Sequence, residues 1–270
     1  MQFSHFLVSV TDKVATVTIN RPEKSNAFTL DMWKELGQVF RYVSELPEAR
    51  VVILTGSGKN FCAGMDLNVF MGIPTLIEAD DEEQKRLKLK EFILGLQENI
   101  SAIEKCKVPV IAAIHGACIG GGINIATACD LIYTCDEAYI SIKEVDLGIV
   151  ADIGVLQRLP RTMSPMKVKE LAFTGRNISG KEAKELGMVN DNFSSKEELH
   201  KQVAALANSI AQKAPSVIRG IKKVMLEQQN MTVTSALDHM AEYNSRNLFT
   251  EDLAEAMAAY FEKRPANFKD

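Results

Sequence analysis

Short apolar runs, separated by polar turns and helical stretches, fill the first 190 residues of the chain. Residues 8–19 read VSVTDKVATVTI, which predicts two strands joined by a hairpin turn. The runs at 51–54 and 110–114 have the length and apolarity of buried strands, and runs at 131–133 and 139–142 repeat the pattern. Strand–strand–helix units that recur with loose spacing predict an α/β fold, although no repeat is visible in the letters.

Apolar residues spaced three or four positions apart predict amphipathic helices. After Thr29, which suits the N-cap position, one helix face carries Met32, Trp33, Leu36, Val39, Phe40 and Val43. A second apolar face carries Phe92, Leu96, Ile100 and Ile103 and predicts a helix that ends near Lys105.

The segment 72–91 has a different character. Gly72 and Pro74 predict a break, after which acidic residues precede basic ones. This order suits the helix dipole, and Asp81 and Lys85 stand one turn apart as an expected ion pair. The simpler interpretation is a solvated helix face, and the alternative is a mobile cover over a bound substrate.

The chain becomes almost wholly helical in its last quarter. Ser195 begins a capping box ahead of a long helix, and Pro215, residues 230–232 and Thr250 divide the remainder into three more helices. The change in composition predicts a domain boundary near residue 195. A core domain over 1–194 and a helical region over 195–270 are the expected units.

The composition is that of an ordinary globular protein, with 46% hydrophobic and 24% charged residues. The net charge of −4 offers no general attraction to nucleic acid or to an anionic membrane, and no apolar run reaches a membrane-spanning length. The five cysteines form no C-x-x-C pair and the four histidines are scattered, which predicts a reduced compartment and no metal site. Without a basic leader or an SKL-type end, the expected location is cytoplasmic.

The stretch 108–152 carries the candidate chemistry. Its apolar strand leads to the glycines 120–122, which open a helix-like segment ending near Cys129. Glycine lets the backbone approach a ligand closely, and the first N–H groups of a helix have no partner within it. Glu144 and Asp152 follow, eight residues apart. Backbone donors for a negative oxygen, followed by two carboxylates, indicate proton transfer beside a developing oxyanion.

Six segments together resemble the crotonase superfamily, the enoyl-CoA hydratase and isomerase fold. They are NRPEKSNAF at 20–28, FCAGMDL at 61–67, IHGACIGGGIN at 114–124, KEVDLGIVADIGVLQRLP at 143–160, AFTGRNISGKEAKELGMV at 172–189 and EAMAAYFEKRP at 255–265. A glycine triplet alone has little specificity, whereas six segments in family order and spacing are specific. The resemblance covers nearly the whole chain and implies a spiral of ββα units, followed by a helical C-terminal region that forms trimers, often stacked as hexamers.

Within this family, the segment 143–160 looks like the dienoyl-CoA isomerases, which convert a 3,5-diene to a 2,4-diene. Hydratases resemble it as far as Glu144 but generally carry glycine where this chain has Asp152. The resemblance implies that Glu144 removes the C2 proton and that Asp152 delivers a proton at C6. Asn124 is a departure, because isomerases usually carry Asp and hydratases Glu at that position. A neutral amide cannot act as a base, although it could donate to Glu144 or orient a water.

The resemblance also implies two backbone donors, at Ala63 and Gly121, that hold the thioester oxygen while an enolate forms. Contacts with the CoA part of the substrate are expected from Lys24, Ala27, Ala63, Gly64, Met65, Asp66, Leu67 and Gly122. Cys62 lies beside this loop, has no base partner evident in the sequence, and is not expected to act as a nucleophile.

Each candidate residue also has a purely structural interpretation. The glycines 120–122 could serve only the packing of helix on strand, and Glu144 could be a surface acid or an ion-pair partner. Asp152 could cap a helix that begins at Ile153. Asn124 could be a polar residue near the start of a helix.

The leading hypothesis is a dienoyl-CoA isomerase that acts on an acyl-CoA thioester without a metal or redox cofactor, CoA being part of the substrate. The alternatives are an enoyl-CoA hydratase or a delta(3)-delta(2)-enoyl-CoA isomerase of fatty acid β-oxidation, and a non-catalytic crotonase-like binding module. The negative charge and the absence of a Lys-rich helix argue against RNA as a partner of such a module. Self-association as a trimer or a dimer of trimers is expected.

Overall fold

The computed structural model describes residues 2–269, which form nine strands and eleven α-helices. The strands are β1 (Phe6–Thr11), β2 (Val14–Ile19), β3 (Val51–Gly56), β4 (Val110–Ile114), β5 (Ala117–Ile119), β6 (Leu131–Cys135), β7 (Tyr139–Ser141), β8 (Ile178–Ser179) and β9 (Asp191–Phe193). The helices are α1 (Leu30–Ser44), α2 (Leu67–Leu76), α3 (Glu82–Glu104), α4 (Gly121–Ala126), α5 (Val155–Arg158), α6 (Pro165–Thr174), α7 (Gly180–Glu185), α8 (Lys196–Ala211), α9 (Pro215–Glu227), α10 (Val233–Asn247) and α11 (Glu251–Glu262). Short 3-10 helices lie at Pro22–Lys24, Lys143–Leu147, Leu159–Arg161 and Gln228–Asn230.

The strands form two sheets. The larger sheet has the order β1-β2-β3-β4-β6-β9, in which β1 and β2 are antiparallel and every later pair of neighbours is parallel. The smaller sheet has the order β5-β7-β8. In the pairs β4–β5 and β6–β7, the first strand belongs to the large sheet and the second to the small sheet. A helical segment follows each pair. This succession matches the predicted ββα units.

Gly116 turns the chain from β4 into β5. Its φ is +58°, and a Cβ there would lie 2.1 Å from the carbonyl oxygen of Lys59, so only glycine fits. β5 then runs beside the loop that follows β3, through a bridge between Cys62 and Cys118. The loop after β3 and the start of α4 are thereby held next to each other.

The hydrophobic core is formed by the large sheet together with α1, α3 and α8. Every residue of β3 and β4 is buried, and the predicted apolar face of α1 is buried at each of its positions. Burial of a large aliphatic or aromatic side chain contributes roughly 1.5–3 kcal/mol. This core therefore fixes the sheet from which the site-forming loops leave.

The predicted boundary near residue 195 falls between β9 and α8. However, α8 packs on β3, β4, β6 and β9, and its buried residues belong to the same hydrophobic core as those strands. Helices with little buried surface begin later, because α9 buries only Pro215, Gly220 and Val224, and α10 buries none of its residues. The helical region that leaves the core thus starts at α9.

The structure corrects the predicted break at Gly72 and Pro74, because α2 runs through both residues. Pro74 lies in the last turn, where its missing N–H removes a single helical bond before the helix ends. Asp81 caps the start of α3, and Lys85 pairs with Glu82 rather than with Asp81. α2 is apolar but short, and no helix within residues 2–269 has both the length and the apolarity to span a bilayer.

Asn26 ties the segment before α1 to the loop after β3. It is buried with a φ of +56°, a conformation that asparagine adopts more readily than most residues. Its amide donates to the carbonyl oxygens of Ser57 and Asn60 at 2.9 and 2.7 Å. Its Oδ1 accepts from the Arg21 N–H at 2.9 Å. These three bonds fix the base of the loop that continues into the candidate site.

We expect Asn26→Ala to lower the free energy of unfolding by about 2–4 kcal/mol. The substitution leaves two carbonyl groups and one N–H without their partners and keeps a residue with a Cβ at positive φ. Urea-induced unfolding followed by circular dichroism measures the loss. Asn230→Ala, at an exposed position, is the matched control, and an equal effect in both variants would contradict this role for Asn26.

Candidate active site

A pocket of about 610 Å³ opens beside the start of α4. Glu144 and Asp152 both line it, and Gly120 and Gly121 form part of its wall. The apolar wall comes mainly from two helices: α2 supplies Phe70, Ile73 and Pro74, and α3 supplies Leu89, Phe92, Ile93 and Leu96. The segment between residues 72 and 91 is therefore partly a wall of the pocket and partly an exposed, charged helix face.

Glu144 lies in the 3-10 helix Lys143–Leu147 and is only 9% exposed. Its Oε1 accepts a hydrogen bond from Asn124 at 3.0 Å, whereas its Oε2 is buried without a hydrogen-bond partner within the described part of the chain. Burial raises the pKa of Glu144 above the ordinary 4.5, the charge of Asp152 adds to the rise, and the bond from Asn124 opposes it. Glu144 is thus not a surface acid, and it offers one free oxygen with a raised affinity for protons.

Asn124 is buried in α4, and its other partners decide which end of its amide faces Glu144. Its Oδ1 accepts from the Val155 N–H at 2.7 Å, which only an oxygen can do. Its Nδ2 donates to the Gly120 carbonyl oxygen at 2.9 Å and to Glu144 at 3.0 Å. Donation to Glu144 is the first of the two roles that the sequence left open for this residue.

Asp152 lies in the irregular segment before α5, and its side chain is exposed. Its carboxyl group makes no hydrogen bond to another residue within residues 2–269, and partial removal from water raises the pKa of Asp152 above the ordinary 3.8. Its backbone carbonyl accepts from the side chain of Gln97 at 2.6 Å. The N-cap of α5 is Gly154, so Asp152 does not serve as the helix cap.

The N–H of Ala63 is not available to a ligand in this structure. It donates to the carbonyl oxygen of Ser25 at 3.0 Å. The prediction of Ala63 as a free backbone donor is therefore wrong, because a donor that is already paired inside the protein gains little from a second acceptor.

Met65 has a free N–H in the part of this loop that lines the pocket. It forms an isolated bridge with Phe28, which donates to the Gly64 carbonyl oxygen at 2.8 Å and accepts from the Asp66 N–H at 3.0 Å. In such a bridge the N–H of the central residue faces away from its partner. The Met65 N–H has no acceptor within the described residues, and Met65 lines the pocket.

Gly121 supplies a second free N–H, because it is the first residue of α4 and has no acceptor within residues 2–269. A Cβ on Gly121 would lie 2.9 Å from the ring of Trp33, so a larger residue would displace the pocket wall. A Cβ on Gly64 would lie 2.9 Å from the Ile119 carbonyl oxygen and 3.2 Å from the Gly121 nitrogen. The loop and the helix start are thus in close contact.

Gly122 and Cys62 have structural roles. A Cβ on Gly122 would lie 2.5 Å from the Cys62 carbonyl oxygen, so Gly122 permits close packing, and its contact with substrate stays a prediction. Burial raises the pKa of the Cys62 thiol to about 12, which keeps it protonated at neutral pH. Cys62 is therefore not a nucleophile.

The Arg21 side chain contacts two of the residues predicted to contact CoA. It forms an ion pair with Asp66 at 2.8 Å and donates to the Ala27 carbonyl oxygen at 2.7 Å. The hydrogen bond from Arg21 is the main reason that the pKa of Asp66 is lowered, and the charge of Lys24 contributes. This group lies next to Met65 and Leu67 in the chain, and its contact with CoA stays a prediction.

These groups can perform one kind of chemistry together. A carboxylate with a raised pKa can take a proton from carbon, and free backbone N–H groups stabilise the negative oxygen that forms when that carbon adjoins a carbonyl. A second carboxyl group in the same pocket can return a proton elsewhere on an apolar chain. A pocket of this kind in a ββα fold can support the formation of an enolate from an acyl group.

Comparison with known proteins gives the family. The model of the enoyl-CoA hydratase/isomerase family matches residues 9–270. The peroxisomal delta(3,5)-delta(2,4)-dienoyl-CoA isomerase of Arabidopsis thaliana is 45% identical over 93% of this chain and 90% of its own length. The mitochondrial enzyme of that name from Mus musculus is 38% identical over 96% of this chain and 79% of its own. A short-chain-enoyl-CoA hydratase of Clostridium acetobutylicum is 34% identical over 98% of this chain and 97% of its own.

A solved structure from the same family has a similar fold. The crystal structure of an enoyl-CoA hydratase from Bacillus anthracis superposes with a TM-score of 0.89 at 30% identity, over 98% of this chain and 99% of that chain. This chain belongs to the enoyl-CoA hydratase/isomerase family, and the crotonase fold predicted from the sequence is confirmed. It is an enzyme, and its similarity to the two dienoyl-CoA isomerases identifies it as an isomerase of that family. The cytoplasmic location stays a prediction.

Asn124→Asp tests whether the hydrogen bond from the Asn124 amide sets the proton affinity of Glu144. The new carboxyl group keeps an acceptor for the Val155 N–H but stands beside Glu144, so the two acids compete for one proton. Because Glu144 must be ionised to act as a base, we expect the low-pH limb of kcat/KM for a CoA-thioester substrate to move up by about one pH unit or more. Asn230→Asp, far from the pocket, should leave that limb in place. An unmoved limb in Asn124→Asp would show that this bond does not set the proton affinity of Glu144.

Proposed function

We propose that the enzyme moves the double bonds of a 3,5-dienoyl-CoA to the 2,4 positions. The observation that carries this proposal is the presence of Glu144 and Asp152 on the wall of one pocket that also includes Met65 and Gly121. One carboxyl group is buried and the other is exposed, so they stand at different depths along that wall. Two such groups suit a reaction that removes a proton at one carbon and returns it at a distant one. The names of the Arabidopsis and mouse relatives agree with this proposal.

In this proposal the thioester oxygen accepts from the N–H groups of Met65 and Gly121. Removal of a proton from C2 moves negative charge onto that oxygen, and two fixed donors stabilise it there. Loss of one such donor typically costs about 100- to 1,000-fold in rate. A Cβ on Gly120 would lie 3.8 Å from the Glu144 carboxyl carbon, so Glu144 is next to the donors and therefore next to C2.

The two proton steps follow from this placement. The free Oε2 of Glu144 accepts the C2 proton, and the electron pair of that C–H bond spreads over the diene to C6. Asp152 then gives its proton to C6, and its raised pKa favours the protonated form that a donor needs. One proton leaves the substrate and one arrives, so the substrate is neither oxidised nor reduced and the balance requires no redox cofactor.

Hydration is the runner-up reaction, because the Clostridium relative is named as a hydratase. The resemblance implies two acidic residues for that reaction, at the positions of Glu144 and Asn124. Here the neighbour of Glu144 is the amide of Asn124, which donates to Glu144 and to Gly120 and cannot take up a proton as a carboxylate does. A delta(3)-delta(2)-enoyl-CoA isomerisation needs one carboxylate only and leaves Asp152 without a role.

We expect the protein to convert a 3,5-dienoyl-CoA to the conjugated 2,4-diene, measured by ultraviolet absorbance, and to add little water to a 2-trans-enoyl-CoA. Asp152→Asn and Glu144→Gln should each lower diene formation by about 100-fold or more. Asp80→Asn, a matched change at an exposed position between α2 and α3, should retain the activity. Water addition to the enoyl-CoA without any diene from the first substrate would replace this proposal by a hydratase.

We also propose that the enzyme self-associates through α9, α10 and α11. Large apolar side chains on these helices are exposed, among them Val217, Ile221, Met225, Val233, Leu237, Tyr260 and Phe261, and so is Phe249 between α10 and α11. Contiguous apolar surface of this kind marks protein interfaces, and a helix of 15 residues without buried side chains, such as α10, is marginal in water. A trimer, as the resemblance implies, would give α10 the packing that the single chain does not provide.

We expect sedimentation to give three times the 29.8 kDa chain mass, or twice that for a dimer of trimers. Leu237→Glu should shift the protein toward smaller species, because it places a charge in a buried interface. Met166→Glu, which changes an equally exposed apolar residue on α6, is the control. A native protein that sediments as a single chain at micromolar concentration would contradict the proposed self-association.

A further inference from the structure

α3 presents two neighbouring rows of side chains to the candidate active site. The first row lines the pocket and consists of Leu89, Phe92, Ile93 and Leu96. The second row consists of Gln97, Ser101 and Glu104, which follow one helix face and bond to the segment that carries Asp152. One helix, α3, therefore lines the pocket and also bonds to the segment that carries the proposed proton donor, Asp152.

The second row binds that segment at two places. Gln97 donates through Nε2 to the backbone carbonyl oxygen of Asp152 at 2.6 Å. Arg158, the last residue of α5, donates to Ser101 Oγ at 3.0 Å and to Glu104 Oε2 at 3.1 Å. The Arg158 and Glu104 side chains are 13% and 26% exposed, so their ion pair is well shielded from water. The end of α5 is thus firmly attached to α3. The bond from Gln97 attaches the backbone of Asp152 to the same helix.

The backbone around Asp152 has few other supports. Between residues 150 and 153, the bond from Gln97 is the one hydrogen bond to another element within the described part of the chain. The segment has no regular secondary structure, and the Asp152 side chain is exposed with no partner on another residue. The position of this carboxyl group therefore depends on where its own backbone is held.

We propose that Gln97 is a positioning residue for proton delivery by Asp152. This inference rests on the proposed isomerase function. Ala151 and Ile153 are buried on either side of Asp152, and the bond from Gln97 fixes the carbonyl group between them. Together they set the direction in which the Asp152 side chain leaves the backbone toward C6. A misplacement of a reacting group by about 1 Å can cost about 100-fold in rate.

The test is Gln97→Met, which keeps the length of the side chain and removes the N–H donor. We expect kcat for diene formation to fall about 10- to 100-fold, with KM changed less than about threefold. The deuterium isotope effect on kcat from substrate labelled at C2 should fall toward one, because proton delivery at C6 becomes the slow step. Glu98→Gln changes the adjacent residue, which pairs with Lys105 on the exposed side of α3, and should preserve both kcat and the isotope effect.

The outcomes separate this inference from the proposed function. Unchanged turnover in Gln97→Met would overturn the inference. A fall in turnover with the native isotope effect would also overturn it, because a loss of folded enzyme or of substrate binding leaves the slow step unaltered. A native protein that forms no diene would overturn the proposed function, and the inference with it, whereas an active native protein with either variant result above would overturn the inference alone.

Discussion

A buried carboxylate with one oxygen partnered and the other free is the feature on which the site depends. Removing a charge from water is costly unless hydrogen bonds replace the lost hydration, and Glu144 receives only part of that replacement, from Asn124. The amide is held by Gly120 and Val155 as well, so it cannot turn to relieve the unpaired oxygen. The remaining cost appears as a raised pKa of Glu144, which makes this oxygen a better acceptor for a proton from carbon.

Periodicity and run length reflect which side of an element is buried, and they were sufficient to predict β1 to β4, β6, β7 and the buried face of α1, but not the short strands β5, β8 and β9. The order of the glycines and the two acids along the chain indicated a site that contains both carboxyl groups. Local pattern was insufficient to predict which backbone N–H stays free. Gly64, with a φ of +91°, breaks the alternation of an extended chain between Ala63 and Met65. Ser25, far from this loop in sequence, then takes up the Ala63 N–H. Free donors are defined by such distant pairings, which the letters do not reveal.

The same reason explains why the partners of Gln97 and Asn26 cannot be predicted from the sequence. Gln97 and Asp152 are 55 positions apart, and Asn26 bonds to residues 31 and 34 positions away. Each residue stands in a segment whose local pattern predicts nothing about its partner. The predicted break at Pro74 is wrong for a different reason, because proline disrupts a helix interior but costs only one hydrogen bond in the last turn of α2. Sequence analysis predicted no pocket wall at this position, although the apolar residues on both sides of Pro74 belong to the wall that α2 forms.

The unequal burial of the two carboxyl groups matters for the complete catalytic cycle. After a turnover of the proposed reaction, Glu144 holds a proton and Asp152 lacks one, so the enzyme must exchange both before it can act again. Asp152 is exposed and can take its proton directly from water, whereas the free oxygen of Glu144 is buried and Glu144 lines the pocket that the proposed product would fill. Glu144 can therefore lose its proton only after the product has left or through Asp152 itself. In the proposed reaction, the buried base is therefore held in alignment with the thioester, whereas the exposed donor, held through its backbone, has access to solvent.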